Sequence, residues 1–163
     1  MDNKVTHIVR MDPEGTPDGL VQNHVVVVDD HPLVRQSTAD YLARDPALEV
    51  VGTAETGAQG IELCQRLRPG VVVLDLSLPD MSGLDVAREL RRLPQPPAIL
   101  MQSGTIDRVI VEAALRVGAS GYIDKGTSPD ELIDAVHAVL RGETGVLRGR
   151  ALLAQFAEAE AEN

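Results

Sequence analysis

The chain has 163 residues, a formal net charge of −10, 44% apolar and 25% charged residues, and a single cysteine. That length fits one domain with extra residues at its ends, and the acidity argues against direct DNA binding, which needs Lys and Arg to neutralise phosphates. The longest apolar run, Val25–Val28, is far too short to span a membrane, and the lone Cys64 excludes an internal disulfide and fits a reducing, cytoplasmic setting.

Residues 1–23 mix Asp, Pro, Gly and Asn without periodicity and read as a flexible leader. They lack the apolar core and small-residue cleavage site of a signal peptide. From residue 24 to about 141, strand and helix signals alternate. Val25–Asp29 is a strand, and Asp30-His31-Pro32 opens a helix whose Val34, Thr38, Tyr41 and Leu42 share one face, ending at Asp45-Pro46. Leu48–Thr53 is the second strand. A helix carrying Ile61, Cys64 and Leu67 follows and stops at Pro69-Gly70, which makes Cys64 a buried hydrophobe. Val71–Asp75 is the third strand, and Ser82 caps a helix running to about Leu93. Ala98–Gln102 is the fourth. Ile106, Val109, Ile110, Ala113, Ala114 and Val117 then keep helical spacing up to Gly118. Gly121–Asp124 is the fifth strand, and Ser128-Pro129-Asp130-Glu131 is a capping box before the helix Leu132–Leu140. Residues 142–163 are expected to be a C-terminal linker and helix with Leu152, Leu153 and Phe156 on one face.

Five strand–helix units predict an α/β fold: a doubly wound, five-stranded parallel sheet with helices on both faces. The continuously apolar strands agree, since both faces of such a sheet are covered. Ligands of these folds bind at the carboxyl ends of the strands. There the first strand ends in Asp29 and Asp30, the third in Asp75 and the fourth in Ser103, while Lys125 follows the fifth. Two carboxylates about 4 Å apart repel by ~4 kcal/mol at an effective dielectric near 20, so three together call for a cation. Oxygen-only donors suit Mg²⁺, and no His or Cys pair has zinc-site spacing. With a metal held, Asp75 can attack a phosphoryl group while the metal, Lys125 and the Ser103 hydroxyl stabilise its oxygens. His31, beside the acid pair, reads as a surface residue at a helix start.

In this order and spacing, four motifs resemble the receiver domains of bacterial two-component response regulators. They are Val-Val-Asp29-Asp30-His31-Pro32, Val-Leu-Asp75-Leu-Ser-Leu-Pro79 with Gly83, Ile99-Leu-Met-Gln-Ser103-Gly104, and Gly118-Ala-Ser-Gly-Tyr122-Ile-Asp-Lys125. The stretches after Asp30, around Gly52 and before Lys125 look most like the subfamily with helix-turn-helix DNA-binding outputs. The resemblance covers about residues 24–141 and implies a flavodoxin-like strand order 2-1-3-4-5. It implies that Asp75 is phosphorylated by a sensor histidine kinase. Asp30, Asp75 and the Ser77 backbone carbonyl would ligate Mg²⁺, with Asp29 acting through water. Ser103 and Lys125 would grip the phosphoryl group. Tyr122 would be the switch that turns inward on phosphorylation, changing the face formed by the fourth helix, fifth strand and fifth helix and favouring a homodimer. The domain would then be a phosphorelay substrate and switch, not a turnover enzyme, acting on transcription through an output domain that this chain lacks. The alternatives are a stand-alone or phosphorylation-independent interaction module and an Asp-nucleophile phosphatase; the latter wants an acid where Ser77 stands.

Overall fold

The computed structural model describes residues 10–11, 17–18 and 23–161. The leader expected over 1–23 lies mostly outside the described residues; within it, Arg10–Met11 pairs antiparallel with Pro17–Asp18. The main sheet is parallel and has six strands. They are β1 (His24–Val28), β2 (Glu49–Ala54), β3 (Val71–Asp75), β4 (Ala98–Ser103), β5 (Gly121–Asp124) and β6 (Val146–Arg148), in spatial order β2-β1-β3-β4-β5-β6. The expected order 2-1-3-4-5 is therefore present with one strand added. β6 pairs with β5 through Gly121↔Val146, Tyr122↔Leu147 and Ile123↔Arg148. A sheet of five strands was one too few: β6 has three residues between Gly145 and Gly149, too short for a periodic signal.

The helices are α1 (Pro32–Ala43), α2 (Gly57–Leu67), α3 (Gly83–Arg91), α4 (Arg108–Arg116), α5 (Pro129–Leu140) and α6 (Arg150–Ala161). Their starts follow from local chemistry. Side-chain oxygens of Thr56, Ser82, Asp107 and Ser128 accept backbone N–H bonds from the first turns of α2, α3, α4 and α5. Pro32 and Pro129 occupy first-turn positions where no N–H is required. Gly118, at φ +109, closes α4 in a conformation that residues with a Cβ rarely adopt.

The strands alternate their side chains between two apolar layers. Val26, Val28, Val72, Leu74, Ile99, Met101 and Tyr122 face one layer, with Val86, Leu90, Val111 and Leu152 from the helices. Val25, Val27, Val71, Val73, Leu100 and Ile123 face the other, with Leu42, Leu132, Val136 and Val139. α2, α3, α4 and α6 thus cover one side of the sheet, and α1 and α5 the other. This two-sided burial explains the unbroken Val runs of β1 and β3. Of the α6 residues expected on one face, Leu152 is fully buried and Phe156 partly buried against the core, whereas Leu153 is exposed. Cys64 is buried, and that burial pushes its thiol up to about 12. No helix among the described residues is long and apolar enough to cross a membrane.

Candidate functional site

The topology brings the ends of β1, β3, β4 and β5 to one edge. Parallel strands in register Val28↔Leu74, Asp75↔Gln102 and Ser103↔Asp124 set Asp29, Asp75, Ser103 and Lys125 side by side. The backbone N–H of Lys125 donates to the Ser103 carbonyl at 3.0 Å, tying the last two together. The loop after β3 is fixed from two sides. A Cβ on Gly83 would collide with the backbone carbonyl oxygen of Asp75, so only glycine fits there. The Asp80 carboxylate accepts from the N–H groups of Gly57 at 2.8 Å and Ala58 at 3.0 Å, at the start of α2. Those backbone donors hold Asp80 below the ordinary carboxylate range.

Asp29 and Asp75 are 1% and 3% exposed, unusual for carboxylates unless they are paired. The Lys125 ammonium bridges them, 3.1 Å from Asp29 Oδ2 and 3.2 Å from Asp75 Oδ2. Asp75 Oδ1 accepts from the Ser77 backbone N–H at 3.3 Å. Burial, and after it the Asp29 carboxylate, push Asp75 above its ordinary range; Lys125 and the Ser77 N–H pull the other way. Asp75, Ser77, Ser103, Gly104, Thr105, Lys125, His31 and Val34 line a cavity of about 260 Å³. The acceptor carboxylate is therefore buried yet borders open space.

The site residues expected from sequence lie as follows in the structure. Asp29, Asp30 and Asp75 gather, and a carboxylate oxygen from each lies with His31 in a group no more than 4.8 Å across. Ser103 is buried, and its hydroxyl accepts from the Thr105 N–H at 2.9 Å. Ser77 lies beside Asp75 and lines the cavity. Tyr122 is fully buried, its hydroxyl donating to the Thr105 carbonyl at 2.7 Å, and that burial pushes its phenol up. This is the inward position that sequence reasoning assigned to the phosphorylated form. Sequence reasoning treated His31 as a surface residue. Its side chain is 60% exposed, yet Nδ1 lies 3.1 Å from carboxylate oxygens of both Asp29 and Asp30. The only sequence signal for this was its position directly after the acid pair.

The donor set fits a divalent cation. Three carboxylates face one ammonium, which leaves a formal charge of −2 when His31 is neutral. Asp29 Oδ2 and Asp30 Oδ1 are buried atoms with no hydrogen bond, although Lys125 and His31 stand near them. These neighbours offset part of the cost of burying the carboxylates, and a divalent cation would offset the negative charge that remains.

The sequence model described as "Response regulator receiver domain" matches residues 25–137. Among curated proteins, the nitrate/nitrite response regulator protein NarL of Escherichia coli (strain K12) is 36% identical over 119 residues, 73% of this chain and 55% of that protein. The DNA-binding transcriptional activator DevR/DosR of Mycobacterium tuberculosis is 39% identical over 135 residues, 82% of this chain and 61% of that protein. The chain thus spans a little over half the length of these relatives. Among solved structures, the signal receiver domain of the NarL response regulator from Mycobacterium tuberculosis aligns with TM-score 0.72 at 36% identity, covering 74% of this chain and 97% of that one. A LuxR-family two-component response regulator from Aurantimonas sp. SI85-9A1 aligns with TM-score 0.78 at 30% identity, covering 85% and 97%.

Proposed function

Because the chain belongs to the response regulator receiver domain family, we propose that it accepts a phosphoryl group on Asp75 from a histidine kinase and passes the signal on as a change of shape. The observation that carries this reading is Asp75 itself: a buried carboxylate, paired with Lys125, at the wall of a solvent-open cavity. A carboxylate oxygen of Asp75 attacks phosphorus, forming an O–P bond as the P–N bond to the kinase histidine breaks. The proton needed by the departing imidazole comes from outside the pocket.

Asp29, Asp30 and Asp75, with the Ser77 carbonyl, would hold Mg²⁺. When bound, it would offset the charge that builds on the transferring oxygens. Lys125 neutralises a further part of that charge from its present position. Ser103, which now accepts from the Thr105 N–H, has a hydroxyl proton to donate to a phosphoryl oxygen. If Ser103 turns towards the phosphoryl group, its bond to Thr105 is released. Thr105 also receives the Tyr122 hydroxyl, so the loop before α4 is linked to both groups. Movement there bears on α4, where Arg108 stacks over the Phe156 ring of α6 at 5.6 Å. β6 contacts both α5 and α6, so it and α6 join α4 and α5 on the face that would change.

The domain in this reading is a substrate and switch, not a turnover enzyme. It acts in the cytoplasm, dimerises on phosphorylation, and controls transcription through a DNA-binding segment outside this chain; the regulator names of its relatives support that output. Incubation with acetyl phosphate and Mg²⁺, read by intact-protein mass, should add one phosphoryl group to the wild type and none to Asp75→Asn. Equal labelling of that variant overturns the assignment. Lys125→Ala should still be labelled yet fail to dimerise in response, and an unchanged phosphorylation-dependent dimer would remove Lys125 from the signalling path.

A further inference from the structure

The loop between β3 and α3 is closed at its base. Ser77 and Ser82 pair antiparallel across it, and the Gly83 N–H donates to the Leu76 carbonyl at 2.7 Å. Leu78, Pro79, Asp80 and Met81 form its outer part. The base adjoins the chemistry, because the Ser77 N–H donates to Asp75 Oδ1 at 3.3 Å and helps orient the acceptor carboxylate.

The outer part is held by a different element, α2. Asp80 is exposed, yet both of its carboxylate oxygens are engaged. Oδ1 accepts from the Gly57 N–H at 2.8 Å and Oδ2 from the Ala58 N–H at 3.0 Å. Such charge-assisted bonds are strong for polar contacts, and a helix start favours an anion. Packing supports the same docking independently. A Cβ on Gly57 would collide with the side chains of Met81 and Val86, so α2 meets the loop this closely only through a glycine. α2 also has a cap of its own, since Thr56 accepts the Gln59 N–H at 3.2 Å. Asp80 therefore does more than start a helix: it joins the loop to one.

On the reading of Asp75 as phosphoryl acceptor, on which this inference rests, we propose that Asp80 is a positioning residue for phosphoryl transfer. By tying the outer loop to α2, it keeps Ser77 in place and the Asp75 carboxylate aimed at the cavity. Asp80 touches no reacting atom. Without it the loop loses an attachment, and Ser77 and the carboxylate it orients sample more directions, fewer of which suit attack on phosphorus.

The test uses the full chain and its Asp80→Ala, Asp80→Asn and Thr56→Ala variants, with folding checked by circular dichroism. Labelling by acetyl phosphate at saturating Mg²⁺, followed by intact-protein mass, should slow about tenfold in Asp80→Ala. Asp80→Asn keeps one acceptor oxygen and should recover part of the rate. Thr56→Ala removes the other cap of α2 without untying the loop, so it should lose stability yet label within about twofold of the wild type. Amide hydrogen exchange should show Ser77 less protected in Asp80→Ala and unchanged in Thr56→Ala. An Asp80→Ala rate equal to wild type, an equal slowing in Thr56→Ala, or unaltered Ser77 protection overturns the inference while Asp75 remains the acceptor. A wild type that takes no label removes the acceptor reading and this inference with it.

Discussion

Replacing Asp75 with Asn should make the metal-free protein more stable, and its size follows from the pocket geometry. Asp75 lies within 4.8 Å of Asp29 and Asp30 carboxylate oxygens. At an effective dielectric near 20, each like-charge contact at that distance costs at least about 3.5 kcal/mol. The contribution of Asp30 is smaller, because its side chain is 34% exposed and screened. Against this stands the attraction of Lys125 at 3.2 Å, about 5 kcal/mol on the same scale. With the cost of burying the charge added, the largest of the effects that raise the Asp75 pKa, the balance favours the neutral amide by about 1–2 kcal/mol, a rise in Tm of about 2–8 °C for a chain of this size. The amide oxygen can keep the Ser77 N–H bond, while the amide NH2 takes the place of the oxygen that now accepts from Lys125, leaving the ammonium to Asp29. The pH dependence has a definite sign. The folded pKa of Asp75 is raised, so the cost of its charge is absent at acid pH and appears as pH rises through that folded value. Thermal unfolding in a chelator at neutral and acid pH measures both effects. The wild type should lag the variant at neutral pH and close the gap on acidification, and added Mg²⁺ should stabilise the wild type more. An Asp75→Asn protein no more stable than wild type at neutral pH, or a gap untouched by acid, refutes the charge balance.

Three further outcomes test other parts of the molecule. Gly83→Ala should cost about 1–3 kcal/mol of stability and slow acetyl phosphate labelling, since the new methyl group must displace the Asp75 backbone; chemical denaturation and mass spectrometry read the two effects. Leu152→Ala should cost about 2–5 kcal/mol in chemical denaturation, because this tail residue is fully buried in the core. Asp45 is held below its ordinary range mainly by the His137 imidazole 2.6 Å away. That pair stabilises the fold above the unfolded carboxylate pKa and loses its effect as pH falls through the depressed folded value. His137→Ala should shrink this acid-side loss in a plot of stability against pH, leaving the part due to the Ala47 N–H bond to Asp45.

The strands and helices legible in the sequence were those whose burial leaves a period. β1 and β3 announce themselves by Val runs because both their faces are covered, and α4 by the spacing of Ile110, Ala114 and Val117. Boundaries were less sharp: α4 begins at Arg108, not Ile106, because the Asp107 side chain caps it by accepting the Val109 N–H. The acid group was readable because topology alone sends Asp29, Asp30, Asp75, Ser103 and Lys125 to one edge. What escaped was set by tertiary contact. β6 is held by the backbone of β5 and carries too few residues to show alternation. His31 reaches the acids through its side-chain rotamer, which no spacing encodes. The inward setting of Tyr122 depends likewise on the Thr105 carbonyl, 17 positions away.

The three-residue strand beside β5 also bears on how copies of this protein could meet. β5 spends its outer hydrogen-bonding groups on β6, so it cannot template a foreign strand. The border left on that flank is only Val146–Arg148, a frontage too short for ribbon-like growth between molecules. Any self-association on this flank must therefore rely on side chains meeting across helices, a contact that can be made and undone without unzipping the sheet.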